Sequence, residues 1–398
     1  MSRCVGWLST GAAALLAACA GAPSGAPAIE FSRPSGSGEP NLVRTAGGSA
    51  VLTWLEPVAG QGHALRFAVR ADGRWSEPGT IAAGDSFFVN WADFPSLVAL
   101  ADESWIAHWL ARVPGGVYAY HVRLATSRDR GATWSTPVTA HRDRSPQEHG
   151  FVAMAPWDDS TAALVWLDGR EMKLASPAHE GEGDMTLRFA TVTSRGSLGD
   201  EALLDGRTCE CCQTALARTT TGLVVAYRDR SPEEIRDIAV VRRAGGVWTS
   251  PVRVAPDNWH YPGCPVNGPA LSASGDTVAI AWFTAPDGGP RVFVAYSFDG
   301  GASWGTPLRV DEGRPAPVGR VDVELVAGGA ALVTWLEPGA VRARRMQASG
   351  RSAGSWRVTG TSDARSSGFP RVLHVGGEVL FAWTGAQGIR VAAQRLED

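Results

Sequence analysis

From residue 40 onward the hydrophobic and polar positions fall into one recurring pattern. A short apolar stretch follows a Pro, Gly or small residue, a turn comes next, and a second apolar stretch ends in an aromatic. The second stretches are AVLTWLE, WIAHWLA, ALVWLDG, LVVAYRD, VAIAWFT, ALVTWLE and VLFAWTG. Their aromatics are Trp54, Trp109, Trp166, Tyr227, Trp282, Trp335 and Trp383, 48 to 61 residues apart. That period suits a four-stranded β-sheet with its loops, repeated around a ring, so the chain is expected to be an all-β propeller. Seven returns of one element speak against an irregular sandwich and favour seven blades, with six as the fallback. The last repeat supplies only three strands. AIEFSRP, Ala28 to Pro34, is the piece available to close the ring as an N-terminal strand and remove its open edge.

Two segments carry a resemblance. SRDRGATW (Ser127 to Trp134) and SFDGGASW (Ser297 to Trp304) both fit S-x-D-x-G-x-[ST]-W, with worn copies around Trp75, Trp248 and Trp356. The pattern resembles the Asp-box of sialidase-like (BNR-repeat) propellers. Physically it is a turn in which Asp accepts amide hydrogen bonds, Gly takes a conformation others resist, and Trp packs between blades. The resemblance implies an exo-α-sialidase type of glycoside hydrolase, or a glycan-binding protein, with arginines clamping a carboxylate at the channel mouth. Arg228, Arg236, Arg320 and Arg371 are the candidate clamp, Asp93 the candidate acid/base, and Glu324 or Glu210 its partner. The chain departs from the family in two places. FSRP (Phe31 to Pro34) is a poor echo of the Phe-Arg-Ile-Pro motif, and no Tyr follows Tyr296 to serve as nucleophile.

The N-terminus adds a location. MSRCVGWLSTGAAALLAACAG combines one basic residue, an apolar run and small residues, as secretion signals do. Leu16-Ala17-Ala18-Cys19 resembles a bacterial lipoprotein box, in which Cys19 becomes the lipidated first residue. Residues 1–18 are then signal peptide, 19–38 a lipidated flexible tether and 39–398 the propeller. The implied place is the cell envelope, in the outer membrane because Ala20 follows the cysteine, with envelope proteins as candidate partners. A net charge of -3 and a pI near 6.3 give no reason to expect nucleic acid.

In a propeller the first strand of each blade lines the central channel, and its lead-in loop opens at one mouth. The lead-ins bring Trp91, Asp93, His149, Cys211, Cys212, Cys264, Asn267, Arg320, Asp322 and Arg371 toward one funnel. Trp91, Asn267, Asp229 and Asp322 are candidate ligand-binding residues there. The remaining histidines, His121 among them, need no special role. Removal of the signal peptide leaves four cysteines besides Cys19: Cys209, Cys211, Cys212 and Cys264. Three readings stay open. Two disulfides can form, with bridge geometry favouring Cys209–Cys212 and leaving Cys211 for Cys264. The sulfurs can hold copper or zinc, with His149 or His260 completing the shell. A redox-active vicinal pair is the third.

Overall fold

The computed structural model describes residues 27–172 and 183–396. Seven antiparallel sheets make up the ring, the first six built outward from the channel in chain order. The innermost strands of blades 1 to 7 are Gly38–Arg44, Ser96–Ala99, His149–Pro156, Ala215–Arg218, Ala270–Ser274, Gly319–Leu325 and Arg371–Val375. Blade 7 takes its outermost strand from the other end of the chain. Ala28–Ser32, inside the span expected to be tether, pairs with Gly388–Arg395. The expected N-terminal closure is thus present, and seven blades, not six, complete the circle. Cys4 and Cys19 lie outside the described residues.

The second strand of each blade sits in the middle of its sheet and is covered on both faces by neighbouring blades. Thr161–Asp168 is buried from its second residue to its last, as is Thr277–Thr284. Such strands read as continuous apolar runs instead of alternating ones, which is why they dominate the sequence pattern. Trp54, Trp166 and Trp282 are fully buried. Two of these indoles donate to an acid two residues on, on the same strand face: Trp54 to Glu56 at 2.9 Å and Trp166 to Asp168 at 2.7 Å. Replacing such a buried Trp with Ala costs about 3–5 kcal/mol.

Both Asp-boxes form the turn their sequence implies. Asp129 Oδ1 accepts from the Ser127 hydroxyl and the Thr133 amide, each at 2.8 Å, and Ser127 Oγ accepts from the Gly131 amide at 2.7 Å. Asp299 repeats these bonds with Ser297 and Ser303. Gly131 sits at φ +90°, where a Cβ would lie 2.6 Å from the Phe67 ring of blade 1. Trp134 packs across the blade boundary against the same ring.

Candidate functional site

The lead-in loops are linked hand to hand by side chains that cap the backbone of the next blade. Asp93 Oδ1 of blade 2 accepts from the Phe151 amide of blade 3 at 2.7 Å. Gln213 of blade 4 accepts from Gly268 of blade 5, and Asn267 of blade 5 from Arg320 of blade 6, at 3.0 and 2.7 Å. Asp322 of blade 6 accepts from Val372 of blade 7 at 2.9 Å. At the first three of these contacts a glycine lets the chains approach. A Cβ on Gly150 would lie 2.0 Å from Asp93, and one on Gly319 would lie 2.3 Å from Asn267. Asp93, Asn267 and Asp322, read from the sequence as site residues, therefore all serve in this clasp around the mouth. Below it the inner strands enclose a cavity of about 160 Å³, lined by Ala92, Asp93, Gln213, Asp322 and Arg371 among others.

Of the four arginines considered for a carboxylate clamp, Arg236 pairs with Glu210 and Glu234, and the other three point to different internal partners. Arg228 is buried and gives its guanidinium to the carbonyls of Asn267, Arg236 and Phe283, with Trp259 beneath it at 4.8 Å. Arg320 donates to the carbonyls of Ala364 and Gly368 and lies over Trp91 at 4.5 Å. Arg371 pairs with Asp322 at 3.3 Å and lies over Phe94. Trp91 is half-buried and also stacks on Phe369. Asp229 is bonded by the Arg230 amide and raised above the ordinary carboxylate range, chiefly by burial. Glu324 is pushed up to about 7 by burial and lies against Ser272.

The sulfurs gather where the topology was expected to put them. Cys209, Cys211 and Cys212 follow the outer strand of blade 3 and lead into blade 4, while Cys264 leads into blade 5. Cys211 and Cys264 form a disulfide across 53 residues. Cys209 and Cys212 are free and buried, with sulfurs 2.6 Å apart. That is closer than unbonded sulfurs rest and not far from the about 2.05 Å of a bond. Against the effect of burial, the Cys212 thiol and then the neighbouring Arg236 and Arg228 draw the Cys209 thiol down to about 7. His260 is exposed, its backbone paired with Ile235. His149 groups with His121 and His141 and not with the sulfurs.

A second cluster was not foreseen. Tyr120, Glu148 and Asp93 meet at the boundary of blades 2 and 3. The Tyr120 hydroxyl lies 2.7 Å from Glu148 Oε1 and 3.0 Å from Asp93 Oδ2. A phenol has one hydrogen to give, so two ionised carboxylates cannot both be satisfied by it. A proton on one of the two acids relieves that competition. The electrostatics agree: burial raises Glu148 to about 8, with the charges of Asp93 and Glu210 adding, and burial raises Asp93 to about 7. Glu148 is the partly buried member, whereas Tyr120 and Asp93 are fully buried. Glu210, held between Cys209 and Cys211, is paired to Arg230 and, at 2.8 Å, to Arg236. Glu148 stood in a lead-in loop that sequence reading surveyed for other residues. Tyr120 begins a third strand, outside any lead-in, and nothing in the sequence pointed to it.

Among solved structures, the chain is similar to the polysaccharide lyase Uly1 at 9% identity, covering 97% of this chain and 94% of that one, with a TM-score of 0.54. What the chain shares with it is the propeller fold. The chain is also similar to an α-L-arabinanase of Penicillium chrysogenum complexed with arabinobiose, at 13% identity over 94% and 99% of the chains, with a TM-score of 0.52. The NanB sialidase of Streptococcus pneumoniae (K499G variant) aligns at 10% identity over 92% and 86%, with a TM-score of 0.49. No protein-family model matches the chain, and no curated protein does. At these identities the likeness concerns the fold.

Proposed function

We propose that this propeller is an envelope-anchored protein that cleaves glycosidic bonds at the channel mouth, where blades 2, 3 and 4 meet. The observation that carries the reading is the meeting of Glu148 and Asp93 on the one Tyr120 hydroxyl, in a setting whose burial favours a proton on a carboxyl group. A partly buried protonated glutamic acid beside an arginine-paired carboxylate is the pairing that glycoside hydrolysis uses. Glu148 would give its proton to the leaving glycosidic oxygen. Glu210 would act opposite it, as base toward water or as nucleophile. Asp93 and Tyr120 hold the Glu148 proton in place. The glycan-active names of two proteins of like fold support the substrate class without fixing the sugar. Because Arg228, Arg320 and Arg371 are engaged elsewhere, a neutral or weakly acidic glycan fits better than sialic acid.

The test is a panel of aryl glycosides, a sialoside included, and extracted envelope polysaccharides. Turnover that falls about 10²–10⁴-fold in Glu148→Gln supports the reading. Turnover indifferent to that change, or none on any member, removes it. The anchor belongs to the same proposal: Cys19→Ala should release the protein from membranes.

A second reading rests on the gathered sulfurs. Cys209, Cys211 and Cys212 place their Sγ atoms within 4.8 Å of one another, and Cys264 is bonded to one of them. With the disulfide opened, four thiolates would suit copper(I) or zinc. Elemental analysis with thiol counting decides. Two intact disulfides in metal-replete protein exclude it.

A further inference from the structure

Behind the Tyr120–Glu148 pair, on the opposite side of the same backbone segments, three imidazoles meet. His121 follows Tyr120 on the third strand of blade 2, His149 follows Glu148 at the head of blade 3, and His141 lies just past the outer strand of blade 2. The rings of His141 and His149 are parallel within 3°, with centroids 4.0 Å apart, and His121 lies 4.9 and 5.1 Å from them. All three are buried, and one nitrogen of each lies within 4.8 Å of the others.

Acceptors crowd this cluster, and positive charge there comes either from a proton on His149 or from a bound cation. His149 faces acceptors at both nitrogens. Its Nδ1 lies 3.1 Å from the Gln147 carbonyl, and its Nε2 lies 2.9 Å from Asp143 Oδ2 and 3.8 Å from Asp168 Oδ1. If Nδ1 carries the hydrogen, the Nε2 lone pair points straight at a carboxylate. His141 donates from Nδ1 to the Asp143 carbonyl at 2.9 Å, and its Nε2 accepts a long hydrogen bond, 3.3 Å, from the Val122 amide. His121 Nδ1 is buried without a partner. Donation from Nδ1 to a carbonyl, with Nε2 toward the metal, is the arrangement that ligating histidines use, and His141 adopts it once the long Val122 bond is given up. The nearby cations are turned to other partners: Arg123 to Thr139 and Pro137, Arg144 to backbone carbonyls, and Arg170 to Asp168.

We infer that His121, His141 and His149 form a binding site for one divalent transition-metal ion of the zinc–copper group, with the Asp143 carboxylate beside His149. Three imidazoles suit such an ion, at bonds of about 2.0–2.1 Å. The ion would supply the positive charge beside Asp143. It would also tie the third strand of blade 2 to the head of blade 3, where Tyr120 and Glu148 already pair by backbone. The site is separate from the sulfurs and does not depend on the glycosidase reading.

The experiment uses the mature protein stripped of metal and titrated with Zn²⁺ and Cu²⁺. One equivalent should bind, and the Cu²⁺ form should show nitrogen hyperfine splitting without a sulfur-to-copper charge-transfer band. His121→Asn and Asp143→Asn, each checked for native circular dichroism, should weaken Zn²⁺ binding at least 10-fold, while Glu148→Gln leaves it unchanged. No stoichiometric binding, binding unaffected in folded His121→Asn protein, or a sulfur band in the Cu²⁺ spectrum each overturns the assignment.

Discussion

The sulfur of Cys211 is bonded to that of Cys264, and the bridge joins the loops that lead into blades 4 and 5. Glu210 sits one residue before the bridged cysteine, flanked by Cys209 and held by Arg230 and Arg236. A propeller of this size buries enough core not to need a staple for folding. The bridge is therefore best understood through what it holds still. Closing a loop of 53 residues contributes about 4 kcal/mol in the chain-entropy picture. Cys264→Ser should lower the urea midpoint and reduce turnover through a mobile Glu210, and reductant should move the wild-type protein to the same midpoint. A wild-type midpoint indifferent to reductant would mean the bridge is not present in solution.

The acid pair sets a pH dependence. Burial lifts Glu148 from the ordinary glutamate value to about 8 and Asp93 to about 7, so the folded chain holds protons that the unfolded chain has lost. Stability from this source is fully present below the unfolded carboxyl values and is lost as pH rises through about 7 and 8. Activity needing the Glu148 proton should fall over the same upper range. Unfolding midpoints measured from pH 5 to 9 should decline more steeply in wild type than in Glu148→Gln. Parallel curves would show that Glu148 is ionised throughout.

Much of the ring was legible in the chain because burial on both faces writes itself as apolar runs. Trp54, Trp166 and Trp282 each mark a central strand, and the Asp-boxes of Asp129 and Asp299 mark the outer turns. Ala28–Ser32 was readable because a three-stranded last repeat demands a fourth strand. The site was less legible. Lead-in position correctly gathered Asp93, Cys211, Cys264, Asn267 and Asp322, but position alone does not say which way a side chain turns. Asp93, Asn267 and Asp322 turn sideways to cap the next blade. His149 turns away from the sulfurs toward His141. Tyr120 and His121 belong to a third strand and enter only because blade 2 crosses over the start of blade 3, a relation between elements that no local pattern records.

The clasp gives a prediction of its own. Asn267 Oδ1 is the acceptor for the Arg320 amide, and its Nδ2 donates to the carbonyls of Pro265 and Val318, both at 3.2 Å. Asn267→Ala leaves a buried amide unpaired, a loss of about 1–3 kcal/mol. Hydrogen exchange at Arg320 should quicken by one to two orders of magnitude, while the pH profile of activity stays put because Glu148 lies in a different sector. A shifted pH profile would mean that Asn267 takes part in the chemistry.

The closing strand offers the sharpest test of the architecture. Phe31 packs against Trp54 at 5.5 Å and Trp75 at 5.3 Å, so the strand reaches from blade 7 onto blade 1. Arg70 of blade 1 is bonded by Glu30 of that strand and by Glu378 of blade 7, which makes one guanidinium a fastener across the seam. Deleting residues 28–32 strips this contact and exposes the ladder groups of Gly388–Arg395 as a free edge, the surface on which β-proteins pair with other chains. The shortened protein should unfold at lower temperature and form concentration-dependent oligomers. A synthetic AIEFSRP peptide should bind it and restore the midpoint, since the site it vacates is otherwise complete. The same peptide should have no effect on the intact chain, where the edge is already covered. Should the deletion leave both midpoint and oligomeric state unchanged, the ring is not closed by this strand.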